Sequence, residues 1–149
     1  MPPDPRPLTS HRALSTIECA LGLLGAALPE AREETPETAF LSAAQARIGP
    51  NPAAALAQAV LSEAGTPLGR VAAALGLSAP ERAAIGVALA VETDPMAGRC
   101  VTYLQSPVGG SRPTLGLISS VLAPLGAENA RLASLISGPA MRSGLLRMG

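Results

Sequence analysis

A chain of 149 residues with 48% hydrophobic content has room for one ordinary core, not two large ones, and lies far from the composition of a disordered chain. Its 11 basic residues are all arginines, and 11 acidic residues balance them. The absence of lysine excludes Schiff-base, P-loop and kinase lysine chemistry, and the neutral balance removes the long-range attraction used by binders of nucleic acid and anionic membranes.

The apolar mass is mostly Ala and Leu, with Phe40 and Tyr103 the sole aromatics. That composition suits close-packed helices, because sheets lean on β-branched and aromatic residues. Residues 1–7 hold four prolines and are expected to form a flexible tail. Leu14, Ile17, Leu21, Leu24 and Leu28 then make one apolar stripe, the first helix. Within it, Cys19–Leu28 imitates a signal-peptide core behind Arg6 and Arg12, but Glu18 interrupts it and the spacing fits an amphipathic helix.

The next starts are marked by a side-chain acceptor followed by proline. Thr35-Pro36, Asn51-Pro52, Thr66-Pro67 and Asp94-Pro95 each satisfy orphan amides and pre-set a helical φ. Ser78 with Glu81 reads as a capping box. Gly49, Gly65, Gly76 and Gly126 fall where helices should stop. Between these marks, Phe40, Leu41, Ala44 and Ile48 stripe a second helix, Leu56, Val60 and Leu61 a third, and Leu68, Val71 and Leu75 a short fourth. The fifth, near 79–91, is apolar on several faces through Ile85, Val87, Leu89 and Val91, which predicts the buried centre. Met96, Cys100, Tyr103 and Leu104 mark the sixth, Leu115, Ile118, Leu122 and Leu125 the seventh, and Leu132, Leu135 and Ile136 the eighth. The stretch 106–112 is a flexible connection. No alternating strand is present. The spacing therefore predicts an all-α bundle of about eight short helices, divided near Gly49-Pro50 into an N-terminal helical pair (8–49) and a larger helical domain (50–149).

Chemistry is sparse along the chain. His11 stands alone at the front edge beside Arg12, with no metal or catalytic partner in reach of the pattern, and is expected in solvent. Glu30, Glu33, Glu34 and Glu37 crowd the start of the second helix, where acids complement the helix dipole. Gly109-Gly110 has no preceding strand or following lysine and reads as a loop hinge, not a phosphate cradle. Cys19 and Cys100 lack metal spacing and point to two buried free thiols, with one disulfide as the alternative. No uncharged run reaches the roughly 18 residues of a membrane span. A helix-turn-helix reading needs a basic recognition face, yet 113–125 has no charge and the eighth helix offers only Arg131, near Glu128. No catalytic residue, cofactor or metal is expected.

From Leu75 the chain carries four blocks in order: L-G-L-S-A-P-E-R, V-E-T-D-P, Y-L-Q and R-P-T-L-G-L. Together they resemble the winged-helix-like domain that precedes the ATPase domain in AAA+ ATPases encoded with bacterial contractile injection systems, the phage-tail-like particles. The matching positions are Leu75–Ser78, Glu81, Arg82, Glu92, Asp94, Pro95, Tyr103–Gln105, Arg112, Pro113 and Thr114, and the resemblance covers roughly residues 68–147. Gly144-Leu145-Leu146 looks like the segment leading to the family's wing, so the wing is expected to be missing or incomplete. Ser106-Pro107 and Gly116 stand where the family has acidic residues.

The resemblance implies an N-terminal, non-catalytic domain acting in the cytoplasm. It would bind a protein (a particle component, a cargo or a second copy) and neither nucleic acid nor membrane. A free-standing helical adaptor and a winged-helix DNA-binding regulator are the alternatives. Read physically, the motif positions maintain the fold, with Arg112 placed to pair with Glu92 or to cap carbonyls at a helix end.

Overall fold

The computed structural model describes residues 14–126 and 132–149. The tail at 1–7, His11, Arg12, Glu128 and Arg131 lie outside the described residues. Among those described, the chain folds into nine α-helices and one 3-10 turn, with no strand and therefore no β wing. No helix is long and apolar enough to cross a membrane.

Helix α1 (Thr16–Ala26) is the most enclosed element, with every residue from Cys19 to Gly25 buried. Ser15 starts it with a capping box that the proline marks did not flag: its Oγ accepts from Glu18 N at 3.0 Å, and Glu18 Oε1 accepts from Ser15 N at 3.3 Å. Small residues let its neighbours come close. A Cβ at Gly22 would meet Ile48 Cγ2 at 2.6 Å, and one at Gly25 would strike the Leu41 carbonyl. Both partners lie on α2 (Pro36–Ile48).

Helices α3 (Pro52–Ser62) and α4 (Pro67–Leu75) follow, then α5 (Ala79–Thr93), which reaches α1 through Gly86; a Cβ there would lie 2.9 Å from Ala20 Cβ. Helix α6 (Pro95–Leu104) packs on α5 and α2, and α7 (Leu115–Leu122) leads into the 3-10 turn Ala123–Leu125. Helices α8 (Leu132–Ser137) and α9 (Pro139–Arg142) close the chain. The predicted caps Thr35, Asn51, Thr66, Ser78 and Asp94 each accept from an amide two or three residues on. Of the predicted stops, Gly76 adopts the left-handed conformation at φ +64°, while α3 ends at Ser62 with Glu63 as its cap, two residues before Gly65.

The main core runs across Gly49-Pro50. Leu23, Leu24 and Leu41 share it with Leu56, Val87, Val101 and Leu122, while a smaller cluster gathers Ala72, Leu77, Ile85 and Ala140. Several apolar positions fall elsewhere than the stripes predict. Leu89 is only half-buried and leans on the smaller cluster, so α5 shares the centre with α1 and its alanines fill it. Leu61 is 73% exposed, and Ala59 takes the inward place on α3. Val71 and Ile136 are also exposed, with Ala72 and Leu135 buried beside them. On α3 and α4 the inward face belongs to alanines one or two positions from the stripe, and on α8 Leu135 of the stripe is buried while Ile136 is not. Helix α7 stops before Leu125, because Pro124 withholds an amide and tightens the next turn into 3-10 geometry.

Candidate functional site

One face of α6 presents Pro95, Gly98, Arg99, Thr102 and Tyr103, at the three-four spacing of a single helical stripe. That stripe lines an open groove of about 590 Å³. Glu37 from the first turn of α2 and Val91 from α5 form further walls, and Ser111 from the 106–114 loop closes another. A second, much narrower recess lies between Glu63, Leu68, Arg82 and Ile85.

Each wall has a local cause. Asp94 caps α6 by accepting from Met96 N at 2.9 Å, and Pro95 supplies the first helical position. The buried Gln105 then holds the loop that follows. Its Nε2 donates to the carbonyls of Gly110 (3.3 Å) and Arg112 (3.1 Å), and its Oε1 accepts from Thr114 N at 2.6 Å. This clamp brings Ser111 within ordinary contact of Gly98, where a Cβ would lie 3.4 Å from Ser111 Cβ. Thr114 then caps α7 through Leu117 N at 3.1 Å, so α7 opens at Leu115 and Pro113 precedes the cap.

The groove has one ion pair across it, Arg99 Nη2 to Glu37 Oε1 at 2.7 Å, with the Arg99 side chain 62% exposed and that of Glu37 14% exposed. The Glu37 carboxyl sits below its ordinary value of 4.5. Its own backbone amide is the largest cause, against some loss of hydration, and the Thr35 hydroxyl and the Arg99 guanidinium add to it. Beneath the groove, Cys100 Sγ donates to the Glu37 carbonyl at 3.7 Å. Burial pushes the Cys100 thiol up to about 11, and the Glu37 and Asp94 charges act in the same direction. Burial likewise pushes Cys19 up to about 11, and both cysteines are free. Thiols so far above neutral pH are not nucleophiles. Among the described residues no group of three His, Cys, Asp or Glu side chains is placed to hold a metal ion.

The structure sorts the motif positions into two places. Asp94, Pro95, Tyr103 and Gln105 line or shape the groove, and Pro113 and Thr114 end its loop wall. Glu92 stands exposed on the last turn of α5. Arg112 is exposed on the same loop but makes no ion pair with Glu92; its guanidinium lies against Gly149, where a Cβ would strike it. Glu81 and Arg82 are remote from the groove. Glu81, 2% exposed, accepts from Ser78 N (3.1 Å), Ser78 Oγ (3.0 Å) and Ala140 N (2.6 Å), and Arg82 Nε donates to the Leu77 carbonyl at 3.3 Å. Arg99 and Ser111 carry no local signal, since their partners lie on other elements. The three-four spacing along α6 was the signal available for the groove.

Neither a curated protein nor a solved structure matches this chain. A family model does, that of the winged helix domain, variant, over residues 12–149. A winged helix is a fold of DNA-binding and protein-interaction domains, and here its groove-lining helix α6 is built into the same core as α1, α2 and α5. By that match over nearly its whole length, the chain belongs to the winged helix domain, variant, family.

Proposed function

We propose that this chain is a non-catalytic protein-interaction and assembly domain, the winged-helix part of an AAA+ ATPase serving a contractile injection system, and that it meets its partner at the α6 groove. One observation carries the reading. Blocks that are separate in sequence, 94–95, 103–105 and 112–114, come together around a single open groove, with Gln105 tying the second block to the third. The link to the ATPase rests on the resemblance of those blocks. The partner is a particle component, a cargo protein or a second copy, met in the cytoplasm, and neither nucleic acid nor membrane.

The DNA-binding reading of the same fold requires a basic helix face. Helix α7 exposes Leu115, Gly116 and Ser120 and has no charged residue. With a formal net charge of zero, affinity for DNA should stay at the non-specific level, about 10⁻⁴ M or weaker. The test is a pull-down from cells that make a contractile particle, using the wild-type chain and a Thr102→Trp variant whose indole fills the groove. Recovery of a particle or cargo protein, or of the chain itself, by the wild type and its loss with the variant are expected. Recovery of a defined DNA sequence at nanomolar affinity would overturn the reading in favour of a regulator.

A further inference from the structure

We infer that the outward face of α3 docks a second copy of this chain, the two α3 helices pairing antiparallel about a two-fold axis. This surface shares no residue with the α6 groove, so the inference stands apart from the docking site proposed there.

Residues 48–62 and 113–127 are the two longest stretches of the sequence without a charged residue. The fold sets them side by side, because α3 lies in the first, the 3-10 turn lies in the second, and the two pack together. Only Leu56 and Ala59 of α3 are buried. Its outward face holds Ala54, Ala57, Gln58 and Leu61 at three-four spacing, all of them exposed. Leu61, at 73%, is the most exposed large apolar side chain among the described residues. Ser120, Ala123 and Pro124 continue the uncharged surface beside it. A helix that is apolar on both faces is covered on both in a stable assembly, and depletion of charge marks the centre of an interface.

The charges nearest this surface have other roles. Glu63 accepts from Thr16 Oγ1 at 2.8 Å, Arg112 lies against Gly149, and Arg47 stands exposed in the last turn of α2, whose dipole it favours. Of the helices packed on α3, α1 has only Glu18, which caps its own start. Helix α5 has Glu81 and Arg82 bonded to Ser78 and Leu77 at its start, and Glu92 at its α6 end.

Three observations select a second copy as the occupant. The first is size, since bulky Leu61 stands at one end of the face and Ala54 at the other. Antiparallel pairing centred between Ala57 and Gln58 seats each Leu61 on the other copy's Ala54, whereas parallel pairing sets leucine on leucine and leaves a gap between the alanines. The second is that antiparallel helices oppose their dipoles favourably. The third is the formal net charge of zero, which leaves two copies without the repulsion that keeps charged chains apart. Area sets the strength. With 11 residues α3 is about 16 Å long, so its face alone falls far short of the roughly 800 Å² per partner of a stable dimer. Even with the neighbouring turn, the pair should form and dissociate with concentration, at a Kd on the order of 10⁻⁴ M.

The experiment is sedimentation equilibrium of the full chain from about 10 μM to about 1 mM, a range that brackets such an affinity. Thermal melts check that each variant folds, and both substituted positions are exposed. The weight-average mass should rise with concentration from 14.9 kDa towards twice that value. Leu61→Arg and Ala54→Glu should each weaken association at least about tenfold, since each buries a lone charge between the copies. In the Ala54→Glu, Leu61→Arg double variant the introduced charges face each other across the axis, and most of the loss should be recovered. A mass of one chain throughout the range would overturn the inference. Dimerisation that neither single substitution weakens would do the same, as would a double variant no better than the singles. A dimer lost in Thr102→Trp but kept in Leu61→Arg would put the second copy in the α6 groove, overturning this surface while supporting the docking function proposed there.

Discussion

Glu37 shows how one side chain joins two elements. Its carboxylate terminates the ion pair from Arg99 on α6 while standing in the first turn of α2, where its charge also favours the helix dipole. Because the folded state holds this carboxyl below its ordinary 4.5, the charged form is favoured more in the folded chain than in the unfolded one. The stabilisation is complete above the unfolded value and disappears as pH falls through the folded value. Thermal melts of wild type and Glu37→Gln should therefore differ at about pH 7 and converge towards about pH 3, with the wild type the more stable at the higher pH. A gap that widens on acidification would show that the carboxyl is held in its neutral form and that the pair with Arg99 is absent in solution.

At the scale of elements, the packing of α1 depends on what its glycines lack. Gly25 stands where any Cβ would strike the Leu41 carbonyl and approach Gln45 Cβ to 2.9 Å, so α2 lies against bare backbone. The carbonyl cannot swing aside without breaking its own helix. Gly25→Ala gains helix propensity of about 1 kcal/mol but forces the helices apart, and overpacking of this kind costs about 1–3 kcal/mol, with backbone contact at the upper end. Urea unfolding should show a net loss of stability for Gly25→Ala. Gly65→Ala, at a position with no atom within 4 Å of its Cβ, should be neutral or slightly stabilising. Equal effects at the two positions would show that α1 and α2 are not in close contact.

The same contacts explain what was legible beforehand. Caps are local, written within four residues, so the starts of α2 to α6 could be read directly from Thr35, Asn51, Thr66, Ser78 and Asp94. Inward faces were harder to read, because a core built on Ala and Gly gives little contrast between sides. Leu61 and Val71 fit inward stripes by apolarity and helical spacing, yet Ala59 and Ala72 hold those places. The groove was legible only in part. Asp94, Pro95, Tyr103 and Gln105 stood out as motif positions, but Glu37 and Arg99 meet across more than sixty residues of chain, and no periodicity encodes that.

Over the whole molecule, stability should divide along the two clusters. The main one joins α1, α2, α5, α6 and α7, whereas the smaller one has only Ala72, Leu77, Ile85 and Ala140 fully buried. The C-terminal segment belongs largely to the smaller cluster. Leu146 N donates to the Ala140 carbonyl at 3.0 Å, folding the chain end back on α9, and Glu81 Oε2 anchors α9 through Ala140 N at 2.6 Å. Gly138 makes this approach possible, since a Cβ there would lie 2.8 Å from Glu81 Oε2. A segment held by one carboxylate and few apolar contacts should open without unfolding the rest. In native-state hydrogen exchange, the amides of 140–146 should therefore exchange with a markedly lower opening free energy than those of α1. Glu81→Gln sharpens the test. A glutamine turns one acceptor oxygen into a donor, so either Ala140 N or the Ser78 donors lose their partner, at about 1–3 kcal/mol. That loss should appear as faster exchange at 140–146, with the slowest amides of α1 changed much less. If instead α1 and 140–146 exchange with one common free energy, and Glu81→Gln lowers both equally, the two clusters form a single cooperative unit and the C-terminal segment is as integral to the core as α1.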